Sequence, residues 1–191
     1  IVTQRLAGVP MEPNGCVAIP EGDSMTFYAS TQAAHGLRDG LAPSIGLEPD
    51  NLRVIAPWVG GGFGPKAGLY IEFILCAKAA QELNRPVKWT EQRGENMLSM
   101  AQGRAMVMNA ELGVNNDGSI VGLKARVVAD AGAYPAIGAI LPMLTMQLSQ
   151  AVYDIPAIDF FAQSVVTNTT FIGAYRGADR PEATQMVERI L

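Results

Sequence analysis

Gly60-Gly61-Gly62-Phe63-Gly64-Pro65-Lys66 lies between two runs of opposite character. Before it, Asn51 to Ala56 is short and β-branched and is cut by Pro57, which reads as a strand. After it, Leu69 to Leu83 has helical length and ends at Arg85-Pro86. Glycines placed there let backbone amides come close to a ligand oxygen, and a following helix N-terminus would add partial positive charge. A phosphate-binding P-loop needs Gly-Lys-Ser/Thr at its end, and Pro65 and Ala67 stand at the required glycine and hydroxyl positions, so that reading fails. Gly62-Phe63-Gly64-Pro65-Lys66-Ala67 fits the looser dinucleotide pattern Gly-x-Gly-x-x-Ala, with Glu91 as the acidic partner. Against it, Pro65 removes an amide from the loop, and Glu91 is farther along the chain than that pattern wants. An ordinary turn would seldom carry three consecutive glycines, since each costs about 0.5–1 kcal/mol of backbone entropy against alanine. A ligand pressed against the backbone accounts for them better.

Working outward, Glu21-Gly22-Asp23-Ser24 separates two apolar runs and predicts a hairpin ending in Met25-Thr26-Phe27-Tyr28. Ser30 or Thr31 is a candidate cap for a helix running to about Leu41. Few polar residues interrupt the helix over 69–83, so it should be covered on several sides. Val87 to Glu91 reads as a strand. Arg104–Val114 and Ile120–Ala129 read as strands joined by the Asp117-Gly118 turn, where positive φ is tolerated. A stretch punctuated by Pro135, Pro142 and Pro156 leads to a strand near Ile158–Thr167, and Pro181 opens a short final helix. Hairpins mixed with β-α-β stretches make the class α+β, with mixed and antiparallel sheets and packed helices.

Of the 191 residues, 49% are hydrophobic and 17% charged, which excludes a disordered chain. The net charge of -4, with Lys and Arg scattered, argues against nucleic acid as a partner. Cys16 and Cys76 lack metal-ligand spacing and read as small buried apolar side chains; a reducing cytoplasm suits them. No stretch approaches the roughly 20 apolar residues of a membrane span, and no signal peptide is visible. The start at Ile1 and the stop inside an apparent helix read as a piece of a longer polypeptide.

Five motifs then fall in one order. They are Pro10-Met11-Glu12-Pro13, Ser30-Thr31-Gln32, Gly60 to Lys66, Pro86-Val87-Lys88-Trp89-Thr90-Glu91, and Thr167-Asn168-Thr169-Thr170 leading into Ala174-Tyr175-Arg176-Gly177-Ala178-Asp179-Arg180-Pro181-Glu182. In this the chain resembles the molybdopterin-binding large subunits of the xanthine dehydrogenase and aldehyde oxidase family, and most of all the carbon monoxide dehydrogenase-like branch. The resemblance covers essentially the whole chain and implies a molybdenum-cofactor-binding fold, with residues 1–191 a fragment of its first molybdopterin-binding domain, truncated at the C-terminal end. It implies an oxidoreductase that hydroxylates an aldehyde or heteroaromatic carbon with water as oxygen source.

The same resemblance assigns roles. Gln32 matches the glutamine whose amide donates to an oxygen ligand of molybdenum. Gly61, Gly62, Phe63 and Gly64 match the loop packed on the cofactor. Arg176 matches the arginine beside the metal centre, and Gly177 lets the backbone approach the cofactor. The expected cofactor is molybdopterin, as the cytosine dinucleotide, with iron-sulfur and FAD subunits or domains as partners and a small-molecule substrate. The general-base glutamate is expected beyond residue 191, so no catalytic residue and no protein metal ligand is assigned here. The fragment alone is expected to be inactive, without molybdenum, and prone to self-association. Two departures narrow the substrate. The carbon monoxide-oxidising members have a cysteine where Gly177 stands, and the purine-oxidising members a glutamate where Ala67 stands, so neither substrate is implied. The alternatives are an NAD(P)-dependent dehydrogenase fragment built on Gly62–Ala67, which requires a parallel sheet opening at Gly60, and a non-catalytic interaction domain.

Overall fold

A computed structural model describes residues 1–191 as two compact units, Val9–Met100 and a second made of Ile1–Gly8 with Ala101–Leu191. In the Val9–Met100 unit, β2 (Gly15–Glu21) and β3 (Ser24–Ala29) form the expected hairpin. β4 (Leu52–Ile55) lies parallel to β3, and β5 (Val87–Thr90) lies antiparallel to β2, giving the order β4-β3-β2-β5. Alternation along the hairpin buries Cys16, Ala18, Met25 and Phe27 on one face. Against these strands lie α1 (Ala34–Ile45), through Leu37, Leu41 and Ile45, and α2 (Ile71–Leu83), through Phe73, Cys76, Ala77 and Ala80. Phe73 meets Phe27 and Trp89 edge to face, at 5.9 and 6.2 Å between ring centroids, and so fastens α2 to β3 and β5. A short helix, α3 (Arg93–Ser99), closes the unit; the sequence reading passed over it. Its Gln92 and Glu95 make a reciprocal capping box in which glutamine replaces the usual hydroxyl residue.

Two expectations are corrected in this unit. Neither Ser30 nor Thr31 caps α1, which starts after Ala33 without a side-chain cap and runs through Pro43 to Ile45. Ser44 Oγ donates to the Gly40 carbonyl at 2.8 Å across the proline, and Gly46, left-handed at φ 79°, ends the helix. The glycine loop also does not lead straight into α2. A 3₁₀ turn at Pro65–Ala67 intervenes, and α2 begins only at Ile71, so its dipole does not face the loop.

In the other unit, β1 (Val2–Ala7), β6 (Gln102–Val114), β7 (Ile120–Gly132) and β8 (Ile158–Val166) form a sheet in that order. β1–β6 and β6–β7 are antiparallel, with the Asp117-Gly118 turn as read, and β7–β8 is parallel. Ala7 pairs with Gln102, and the Ile1 amino group donates to the Met108 carbonyl at 2.7 Å. α4 (Leu141–Gln147) and α5 (Arg180–Glu188) cover a core of Met106, Met108, Ala125, Val127, Ile172 and Met186. α4 sits in the proline-punctuated stretch, where the sequence reading names no element; Pro142 falls in its first turn, where a missing N–H costs nothing. Both sheets are mixed, as the α+β reading requires. No helix is long and apolar enough to cross a membrane.

Candidate functional site

The two hydroxyls expected to cap α1 serve the glycine loop instead. Thr31 Oγ1 donates to the Lys66 carbonyl at 3.0 Å, and the Gln32 N–H donates to the same carbonyl at 3.1 Å. Ser30 Oγ donates to Glu12 Oε2 at 3.1 Å. That carboxylate oxygen also accepts the Gly60 N–H and the Lys66 ammonium, each at 2.8 Å, while the Glu12 N–H donates to the Gly60 carbonyl at 3.2 Å. The Lys66 side chain is fully buried, and Glu12 is the carboxylate that balances its charge. Burial works against ionised Glu12, but the Lys66 hydrogen bond, the Gly60 amide, the Lys66 charge and Ser30 outweigh it and hold its carboxyl below the ordinary range.

At the far end of the loop, the Gly64 N–H donates to Gln32 Oε1 at 2.9 Å. This fixes which way the exposed Gln32 amide faces: its oxygen is taken, and its NH₂ is left to donate outward. The loop's glycines are demanded by neighbouring side chains. A Cβ on Gly62 would come within 2.4 Å of Gln32 Oε1, one on Gly61 within 2.8 Å of the Phe63 ring, and one on Gly60 within 2.6 Å of Glu12 Cβ. The chain's own side chains already require these glycines. Phe63, at φ 53°, is the non-glycine residue in this turn with a left-handed backbone. The N–H groups of Gly61 and Gly62 take no acceptor from the protein, which leaves two donors in the loop whose Gly64 holds Gln32.

Gln32, Gly61, Gly62, Phe63 and Gly64 are thus brought together in one unit. Arg176 and Gly177 belong to the other unit, with their own support. Gly177 sits at φ 100°, and a Cβ there would lie 2.7 Å from Pro181 Cδ. The Arg104 guanidinium donates to the Arg176 carbonyl at 2.7 Å, lies over the Tyr175 ring at 4.9 Å, and faces the buried Glu182 carboxylate at 3.1 Å. Arg104 itself has a left-handed backbone at φ 69° inside β6, a conformation worth holding only where surrounding contacts fix it. Asp179, buried beside Glu182, has its carboxyl pushed up to about 7 by burial and then by the Glu182 charge, with Arg104 opposing.

Sequence reasoning quoted Glu12, Lys66, Asp179 and Glu182 inside motifs without giving them roles, and it missed Arg104. Nothing local marks Lys66 for burial, because its partner is 54 residues away in sequence. Glu91, the acidic residue of the dinucleotide alternative, is buried and accepts from the Asn14 N–H and the Asn96 side chain, each at 2.7 Å. β4 is an edge strand with one parallel neighbour, and no parallel sheet opens at Gly60. The dinucleotide alternative lacks both of its supports.

The chain matches the family model for the molybdopterin cofactor-binding domain over residues 1–191. It is 37% identical over 191 residues to the 6-hydroxypseudooxynicotine dehydrogenase complex subunit gamma of Paenarthrobacter nicotinovorans, covering 99% of this chain and 24% of that protein. It is 36% identical over 193 residues to the carbon monoxide dehydrogenase large chain of Hydrogenophaga pseudoflava, covering 98% of this chain and 24% of that one. Among solved structures, quinoline 2-oxidoreductase from Pseudomonas putida 86 superimposes with a TM-score of 0.90 at 28% identity, over 98% of this chain and 26% of that chain. The chain spans about a quarter of the length of these relatives.

Proposed function

The chain belongs to the molybdopterin cofactor-binding domain family, and on that premise we propose that it holds part of a molybdopterin within an oxidoreductase that hydroxylates an aldehyde or heteroaromatic carbon. The observation that carries this reading is the Gln32 amide, locked through its oxygen by Gly64 with its NH₂ presented outward beside the unclaimed Gly61 and Gly62 amides. Three donors in one loop and the glutamine tied to it suit the anionic oxygens of a molybdenum pterin. When bound, that group supplies the redox chemistry, taking two electrons from a carbon that gains oxygen from water.

The chain's own residues bind and orient. Gln32 donates through its amide, Gly61 and Gly62 through their backbones, and Phe63 and Gly64 shape the turn. In the other unit Arg176 brings a fixed fork of donors suited to anionic oxygens, and the left-handed backbone at Gly177 keeps a side chain out of the way. The relative named as a carbon monoxide dehydrogenase does not transfer its substrate, because the resemblance asks for a cysteine where this chain has Gly177. The cofactor form proposed is the cytosine dinucleotide, and the proposed electron acceptors are iron-sulfur and FAD subunits, in a cytoplasmic complex. The names of relatives as large chains and complex subunits support partner subunits. The proton-accepting glutamate is proposed to lie outside residues 1–191, and residues 1–191 alone are proposed to be inactive.

The test is molybdenum and released pterin per polypeptide, measured on the complete subunit that carries this chain, purified from cells that make molybdopterin. Near-stoichiometric amounts of both are expected. Absence of both overturns the reading.

A further inference from the structure

The Gly60–Lys66 loop is tied at both ends and at Gly64, and the ties at its two ends involve Glu12 and Lys66, two residues to which neither the family match nor the resemblance gives a role. At the near end, Glu12 Oε2 takes the Gly60 N–H, and the Gly60 carbonyl takes the Glu12 N–H. At the far end, the Lys66 carbonyl takes Thr31 Oγ1 and the Gln32 N–H, and Gln32 Oε1 takes the Gly64 N–H. The Lys66 ammonium closes the circuit on the same Glu12 oxygen.

Glu12 is itself anchored on both sides. Arg93 donates to the carbonyls of Pro10 and Met11, and the Asn14 N–H donates to Glu91. The loop therefore cannot shift without opening the pair between the buried Lys66 ammonium and the partly exposed Glu12 carboxylate. The Lys66 side chain is fully buried while Glu12 is 40% exposed, so losing the carboxylate strands a buried ammonium and costs more than breaking a fully exposed pair.

We infer that Glu12 and Lys66 form a positioning pair that sets the Gly61–Gly62 amides and the Gln32 NH₂ at the spacing at which they hold the pterin-bound metal group. This rests on the molybdopterin reading above. The pair does not itself touch the bound group; it acts through Gly60, Gln32 and Gly64. Its asymmetry makes a specific forecast. Glu12→Gln leaves a buried ammonium without a counter-charge, whereas Glu12→Gln combined with Lys66→Met removes both charges and spares the core an unpaired ion.

The experiment compares wild type, Glu12→Gln, Glu12→Asp and the Glu12→Gln/Lys66→Met double variant in the complete subunit, purified from molybdopterin-making cells. It reads released pterin and molybdenum per polypeptide, thermal melting, and hydrogen exchange at Gly60–Gly64. Glu12→Gln should lose about tenfold in pterin retention, the change expected when one charge-assisted hydrogen bond is lost. Exchange should rise across the loop and stay unchanged in β2, β3 and the body of α2. The double variant should melt like wild type yet stay depleted of pterin, and Glu12→Asp should regain part of it. A double variant that regains full pterin shows a role in fold stability alone and overturns the inference. So does Glu12→Gln with normal retention and a protected loop. Wild type devoid of pterin and molybdenum sinks instead the molybdopterin reading on which the inference rests.

Discussion

At Gly62 a single hydrogen atom decides whether Gln32 keeps its place. A methyl group there would stand 2.4 Å from Gln32 Oε1, 3.0 Å from Cδ and 3.1 Å from Cβ, so the whole side chain must move and its bond from Gly64 must break. Because Gln32 is exposed, the fold should tolerate this at about 1 kcal/mol, the net worth of one hydrogen bond. Binding should suffer more, since the outward-facing NH₂ loses its fixed direction. Gly62→Ala is therefore expected to melt within a few degrees of wild type while retaining several-fold less pterin. A variant that melts normally and retains pterin normally would remove Gln32 from the proposed site. At this scale the sequence was informative about which residues cluster and uninformative about why. The run of glycines marked the loop, but that Glu12, Phe63 and Gln32 would fill the space beside it depends on contacts up to 48 residues apart.

Among the elements, strands with alternating burial and the Asp117-Gly118 hairpin were legible because their signals are local. α3 and α4 were not: one is capped by glutamine, and the other begins on a proline that reads as a break. β1 gave no signal, since its inward positions are only half-buried. The start of α5 carries a feature with a measurable pH signature. Asp179, left-handed at φ 68°, buries its carboxyl beside Glu182 and Arg104 and near Thr145, and it is held up to about 7 from an ordinary 3.8. The folded state thus keeps a proton that the unfolded state releases between about pH 4 and 7. Stability from this group is complete below pH 4, falls as pH rises through 7, and is level above. The loss is at most about 4 kcal/mol at 1.36 kcal/mol per unit. Asp179→Asn should match wild type near pH 4 and exceed it at pH 8 in urea denaturation. Parallel pH profiles for the two proteins would refute this. Glu12 and Asp130, both held low, act in the opposite sense, and their stabilisation is lost on acidification through their own pKa values.

For the molecule as a whole, the surface of α2 bears on association. Ile71, Leu75 and Leu83 are each about 60% exposed along a helix expected to be covered on several sides. Ile71 and Leu75, four apart, share a face, and Leu83, two turns further on and partly round the helix, widens the apolar surface at its end. Residues 1–191 should self-associate as concentration rises, and Leu75→Glu with Leu83→Glu should return them to monomer in light scattering. A monomer at every concentration, before substitution, would count against the strip. The β1–β6 pairing carries a further consequence, for the order of synthesis. Ala7 leaves the ribosome 95 residues ahead of Gln102, its partner, which at roughly 5–20 residues per second is a delay of about 5–20 s. In that interval every strand and helix of Val9–Met100 is made and is free to fold, while Val2–Ala7 waits as an orphan edge. Arg5, in the middle of that segment, puts on the waiting edge a charge of the kind that discourages strand pairing, and its partner Asp130 is made later still.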